Sequence, residues 1–453
     1  MNKLKNFFSN WYVIGFILFA FCLVIQLLWL AAFFPGAMTP DSISLWKQSV
    51  LGSGYFNLQP YLYTIYLFYL RHIWDSPAIA AIIQVIVSAS LVSGFSVFLL
   101  RKKANKWLVA AGYLGFVFSI PIMITNTIIH RDAGYAALVL LLSVIFVALF
   151  FQKQEEVSTT KMVLLGLLLV LIASMRYDGA FYLIFAPFLL YAFKLVNKKA
   201  VFTVLLTGLI GYFVVQVPLS NLFQIKEDRY MQVYDLETEF IAQIYHDNPN
   251  SFSASDLALM TKLTPLSRWR NFDPTEDFDY WAKYKNFNFI SRDFRKEWNQ
   301  MFFSKFWTNP ASIVRDRFSM VMALVSVEKI NGPTIVANDI GLMQRPLTSW
   351  QFRGQLNRLF HDTRLGKFTD LLVWSPLFLI IQFAFLVLAI VKKKKYLTAY
   401  ILIGLASFIV IIPIVTSSQF RYIYPLYYSS FFVPALYTIK LTKSKKTTGF
   451  YQK

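Results

Sequence analysis

WYVIGFILFAFCLVIQLLWLAAFF, residues 11–34, runs for twenty-four positions without one charged side chain. About 20 apolar residues in a helix cross a hydrocarbon core of roughly 30 Å, so this stretch predicts a membrane span. It is longer than the apolar core of a signal peptide and meets Pro35-Gly36 rather than a cleavage site, which reads as a retained signal anchor. The pattern recurs along the chain. Of 453 residues, 57% are hydrophobic and 18% aromatic, more than a soluble domain of this length buries.

Ten such segments are expected, near residues 11–34, 78–100, 107–127, 133–151, 162–175, 179–196, 201–219, 369–391, 397–417 and 424–440. The fifth is short and merges with the sixth through Met175-Arg176-Tyr177-Asp178-Gly179, as in a tilted or re-entrant pair. With ten spans, every basic cluster falls on one side: Lys3/Lys5, Arg101-Lys102-Lys103 with Lys106, Lys153/Lys161, Lys194/Lys198/Lys199, Lys392 to Lys395 and Lys440 to Lys446. The net charge of +20 is therefore topogenic, not a nucleic-acid stripe, and both termini are expected in the cytoplasm of a multi-pass cell-membrane protein.

The fold class is thus all-α and polytopic, in three parts. Residues 1–219 form an N-terminal transmembrane module with external loops, 220–368 a mostly helical external domain, and 369–453 the last spans with a basic tail. In the first external loop, a helix from Ser42 to Leu51 and an amphipathic stretch from Tyr61 to Trp74 are expected to lie at the interface. Phe318 to Val327 is too short to span. The loop tryptophans, Trp269, Trp281, Trp298, Trp307 and Trp350, read as core or membrane-belt residues or as sugar-stacking platforms. Cys22 is the only cysteine, so no intrachain disulfide or cysteine metal cluster arises.

Outside residues 220–368 and the pair Glu155/Glu156, the carboxylates are Asp41, Asp75, Asp132, Asp178 and Asp370, all near the expected outer ends of spans. Charge at a bilayer boundary is costly unless paired or wetted, so a one-sided set of acids points to a functional site. Asp41, in Pro35-Gly36-Ala37-Met38-Thr39-Pro40-Asp41-Ser42, reads equally as a helix N-cap and as a base for a substrate hydroxyl. His130-Arg131-Asp132 places three ionisable residues at a helix start. Asp132 there either complements the helix N-terminus or orients an acceptor or a metal, while Arg131 or His130 faces phosphate. Arg176 and Arg421 either snorkel or bind phosphate. Asp75, before Ser76-Pro77, reads as an N-cap.

These elements resemble the GT-C superfamily of polytopic glycosyltransferases, which take sugars from polyprenyl-phosphate donors on the extracytoplasmic face. The similarity is greatest to bacterial envelope-modifying members. It rests on Pro35-Gly36, Asp41-Ser42, Gln48, Gly52, Arg131-Asp132, Arg176, Gly179 and Arg421-Tyr422 with Pro425. Two positions depart from that pattern: Gln59 stands where a histidine is expected, and Asp178 where an asparagine is expected.

The resemblance implies transfer of a sugar to an envelope glycan or polymer, a step in cell-wall biogenesis or polysaccharide modification. Asp41 would be the general base and Asp132 would assist it or position the acceptor. Arg176, Arg421 and Arg131 would bind the lipid phosphate, with His130, Asp178, Tyr422 and Gln59 as accessory residues. The implied transfer is metal-independent or weakly metal-assisted, which leaves a divalent metal open as a cofactor and names no metal ligand. Expected partners are the polyprenyl-phosphate sugar, the glycan acceptor and membrane lipid. The alternatives are a lipid-linked sugar flippase or other secondary transporter, and a receptor-like or assembly protein whose external domain only binds a partner. Transporters place polar groups at mid-membrane on broken helices and often show repeats, whereas here the ionisable groups lie at one face.

Overall fold

The computed structural model describes residues 10–50, 60–152, 157–222, 229–273, 292–325, 355, 375–415 and 420–440. Among these, all regular elements are helical, and an isolated bridge joins Ala37 to Ile128. The first half comprises α1 (Trp11–Ala32), α2 (Pro40–Gln48), α3 (Tyr61–Ile73), α4 (Ala78–Arg101), α5 (Lys106–Val117), α6 (Ile120–Thr127), α7 (Arg131–Leu149), α8 (Thr159–Met175), α9 (Tyr182–Ala192) and α10 (Lys198–Leu222). Then follow α11 (Arg229–Asp247), α12 (Ala254–Thr261), α13 (Leu266–Arg270), α14 (Arg292–Thr308) and α15 (Pro310–Val325). The described part closes with α16 (Ser375–Val391), α17 (Lys395–Ile411), α18 (Tyr424–Ser430) and α19 (Val433–Tyr437).

Among the described residues, four helices are long and apolar enough to cross a membrane: α1, α4, α7 and α10 as far as Pro218. A fifth is available if α5 and α6, bent by 49°, act as one. The stretches 159–175, 177–192, 376–391 and 395–411 are apolar but shorter. Phe16, Phe202, Phe213 and Val391 are exposed on outward faces, an arrangement that suits lipid rather than water.

The segments expected at 107–127 and 424–440 are both interrupted, for a local reason. Pro121 and Pro434 sit in the first turns of α6 and α19, where a missing N–H costs nothing, but inside a continuous helix each would break the ladder. Two other expectations are corrected. The helix in the first loop runs Pro40–Gln48, not from Ser42 to Leu51. Asp75 does not cap α4, whose N-cap is Pro77; it pairs instead with Arg71 at 2.7 Å. Arg71 also donates to Trp46 O at 2.9 Å and lies over the Trp46 ring, clamping α3 to α2.

A buried polar network runs through the helices beneath this loop. Asn126 donates to Ser88 Oγ at 2.9 Å and to Gln26 Oε1 at 3.1 Å, while Tyr428 donates to Ser88 Oγ at 2.6 Å. Gln84 donates to the carbonyls of Asn126 and Ile128 at 3.1 and 2.8 Å and accepts from Tyr63 at 3.1 Å. The backbone after α6 leaves its helix at Ile128, and Gln84 satisfies the carbonyls so freed, as irregular backbone in an apolar environment requires. The network therefore fixes the segment that leads into His130.

The 3₁₀ turn Tyr177–Phe181 joins α8 to α9 under close contact. A Cβ on Gly179 would lie 2.3 Å from Ile172 O and 3.1 Å from the Tyr135 ring. Gly179→Ala is expected to push this turn off α8, costing about 1–3 kcal/mol. Thermal unfolding in detergent checks this, and an unchanged midpoint would contradict it.

Helices α11 to α14 share a core of their own around Trp269 and Trp298, whose rings lie 6.2 Å apart in full burial. These two tryptophans are core residues; Trp307 is exposed, and Trp281 and Trp350 lie outside the described residues. Arg317 of α15 joins this unit to the end of α17: it donates to Glu239 and Asp316 and to the carbonyls of Ile412 and Val415.

Burial pushes the Glu237 carboxyl of α11 up to about 7, with Trp298 partly opposing the shift. The folded protein then holds a proton that the unfolded chain has released. Its contribution to stability is present at low pH and lost as pH rises through about 7. Glu237→Gln is expected to flatten the fall in melting temperature between pH 5 and pH 8 and to raise the pH 8 value by roughly 2–4 °C. An identical pH slope in the variant would refute this.

Candidate functional site

The first loop and the α6–α7 junction meet through backbone. After α1, Gly36 adopts φ +131°, a conformation that L side chains rarely take, and a Cβ there would press on Ile129 at 3.0 Å. Ala37 N–H then donates to Thr127 O at 2.9 Å, and Ile129 N–H donates to Ala37 O at 3.0 Å. This two-bond clasp sets Met38 to Ser42 beside His130 to Asp132. Thr39 is the N-cap of α2, with Oγ1 accepting from Ser42 N–H at 3.2 Å, and Pro40 occupies its first turn. The capping reading of Asp41 is thereby overturned: Thr39 does that work, and the Asp41 carboxylate is left for other partners.

Those partners form a continuous chain. Arg421 Nη1 donates to Asp41 Oδ2, which lies 3.6 Å from His130 Nε2. His130 Nδ1 is 2.5 Å from Asp132 Oδ2 and also lies 3.4 Å from the Asp132 backbone N, which it caps. Asp132 Oδ1 accepts from Arg176 Nη1, and Arg176 Nε donates to Asp178 Oδ1 at 2.9 Å. Tyr135 closes the chain by donating to Asp178 Oδ2 at 3.3 Å. The Arg176 guanidinium lies 5.1 Å from the Tyr135 ring centroid and 5.3 Å from that of Tyr422; Arg421 also stacks on Tyr422 at 5.2 Å.

Accessibility falls steeply along the chain. The Asp41 and Arg421 side chains are 29% and 21% exposed, whereas His130, Asp132, Arg176 and Asp178 are 3–5% exposed. Asp41 with Arg421 is therefore the end that is open to solvent. Burial alone would raise the Asp41 carboxyl, but the nearby His130 ring and the charge of Arg421 outweigh it and hold Asp41 well below the ordinary carboxylate range. Asp41 is ionised at any pH at which the protein works.

Arg131, which opens α7, differs from the other two arginines. Its Nε and Nη1 are buried and make no hydrogen bond within the protein, although Asp132, Asp41, Arg176 and Arg421 all lie within electrostatic range. A buried guanidinium without acceptors is costly, and an anion is the partner that relieves that cost.

Of the expected residues, Asp41, His130, Arg131, Asp132, Arg176, Asp178, Arg421 and Tyr422 come together; Gln59, Gly52 and Asp370 lie outside the described residues. Arg176 is taken up by two carboxylates, which leaves it poorly placed to receive phosphate. Tyr135 was not expected. Its signal was present in sequence, three residues after Asp132 and thus on the same helical face. The carboxylates do not fit a divalent metal, because Asp41, Asp132 and Asp178 are each already held by a guanidinium. Among the described residues no group of three His, Cys, Asp or Glu side chains is arranged for one. No protein-family model matches the chain, and comparison with curated proteins and with solved structures finds no match.

Proposed function

We propose that this chain is a membrane glycosyltransferase of the GT-C kind, moving a sugar from a polyprenyl-phosphate donor to an extracytoplasmic envelope glycan or polymer. The observation that carries the reading is Asp41: an ionised, half-buried carboxylate at the accessible end of a buried ion-pair chain, with an unpartnered guanidinium nearby. A lipid-linked donor keeps its tail among the spans and its phosphate at headgroup depth. A carboxylate for the acceptor and cations for the phosphate are then needed at that one level. In this reading the chain crosses the membrane ten times with cytoplasmic termini. The helices α2 and α3 lie along the outer interface, and residues 220–368 form an external domain that holds the acceptor.

Asp41 takes the proton of the acceptor hydroxyl as its oxygen attacks the anomeric carbon. The bond from that carbon to the phosphate oxygen breaks, and polyprenyl phosphate leaves with the electron pair. Arg131 and Arg421 stabilise the growing phosphate charge, which is where preorganised cations contribute most. Asp132, through His130, keeps Asp41 in place, and Arg176 neutralises Asp132 and Asp178.

The test is an assay of purified protein in vesicles with a labelled polyprenyl-phosphate sugar and a panel of envelope polymers. Label appearing on polymer supports transfer. Label crossing the bilayer with the lipid, without reaching polymer, would replace this reading with the flippase, and neither event would leave the binding-protein alternative.

A further inference from the structure

We infer that His130 is a proton relay, carrying the acceptor proton from Asp41 to the departing phosphate while Asp132 holds its ring. This rests on the glycosyl-transfer reading and adds a residue whose task is distinct from both base and phosphate ligand. The geometry leads to it in three steps. His130 Nδ1 is held by Asp132, 2.5 Å from its Oδ2 and 3.4 Å from its backbone N, which fixes the orientation of the ring. Its other nitrogen, Nε2, faces the accessible end, 3.6 Å from Asp41 Oδ2 and 3.4 Å from Arg421 Nη1. Arg421 is always charged and cannot accept a proton, so Asp41 is the group with which Nε2 exchanges one.

Passing the proton to Nε2 creates an imidazolium whose Nδ1–H already faces a carboxylate. The sequence of steps balances. The acceptor O–H proton moves to Asp41 Oδ2, then to His130 Nε2, and finally to an oxygen of the departing phosphate, which gained a basic site when its bond to the sugar broke. Arg131, adjacent in sequence with two free N–H groups, holds that phosphate near His130. The charged or titratable groups around His130 are Asp41 on α2, Arg421 on the 3₁₀ turn, and Arg131 and Asp132 on α7. Arg176 lies behind Asp132, with Tyr63 of α3 within electrostatic range of it.

The experiment is kcat/KM for transfer from labelled polyprenyl-phosphate sugar, measured in H2O, in D2O and in mixtures of the two, in wild type, His130→Gln and His130→Asn. The Asn amide reaches the Nδ1 position and keeps the bond to Asp132 while lacking Nε2, so it separates relay from scaffold. Wild type is expected to be slower in D2O, with a curved dependence on deuterium fraction because more than one proton moves. Both variants are expected to be slower by about 10²-fold, with that curvature gone. Variants that match wild type, or that are slower with the curvature unchanged, would overturn the relay and leave Asp41 in place as base. If neither variant folds, a wild-type dependence that is linear or absent overturns it and a curved one supports it. A wild type that transfers no sugar removes the enzyme reading and the relay with it.

Discussion

Asp41→Asn is expected to lower transfer from a polyprenyl-phosphate sugar by about 10²–10⁴-fold while leaving the protein folded. The substitution keeps the shape of the side chain and removes its charge and its capacity to take a proton. It does not remove a helix cap, because Thr39 fills that position. It does not uncover a deeply buried charge either, since the Asp41–Arg421 pair is partly open to solvent; losing such a pair costs about 0–1 kcal/mol. Thermal unfolding and single-turnover transfer, measured on one preparation, separate the two effects. A folded variant with undiminished transfer would end the assignment of Asp41 as base.

The sign of the pH dependence provides a second check. Because Asp41 is held below the ordinary carboxylate range, its contribution to stability is present above that range and is lost only as pH falls toward its own lowered value. Between pH 5 and 8 it neither gains nor loses a proton. A rate change in that window therefore reports another group.

The one-sided acids were legible in sequence because charge stands out in an apolar chain, and hydrophobic run length marked where helices form. Their pairings were not legible. Asp41 meets Arg421 across 380 positions, a contact that no local spacing announces. Arg176 and Asp178, two residues apart, could be suspected of pairing, but that Asp132 completes the cage depends on how α7 packs beside α8. That Asp41 reads in sequence equally as a cap and as a base has a similar origin. Thr39, Asp41 and Ser42 are all good caps, and the choice among them follows from where the Ala37–Ile128 bridge sets the chain. The break of the α5/α6 segment was readable in Ser119 and Pro121, a cap followed by a first-turn proline, but uninterrupted hydrophobicity over 107–127 masked it.

The family resemblance makes Arg176 and Arg131 both phosphate ligands, but their surroundings predict opposite outcomes. Arg176→Ala leaves Asp132 and Asp178 buried with no guanidinium between them, and removing one partner of a buried ion pair costs about 3–5 kcal/mol. The expected result is a large fall in melting temperature and loss of transfer through loss of fold. Combining Arg176→Met with Asp132→Asn and Asp178→Asn removes the stranded charges, and stability should largely return, because neutral packing in place of a buried ion network is often harmless. Arg131→Ala deletes a guanidinium that the protein itself leaves without acceptors, so melting temperature should hold or rise. Its donor KM should rise by about 10- to 100-fold, the worth of a charged hydrogen bond of roughly 1.5–3 kcal/mol. Unfolding curves and donor titrations of the three proteins decide the matter. An Arg176→Ala protein with wild-type stability and a selectively raised donor KM would move the phosphate back to Arg176.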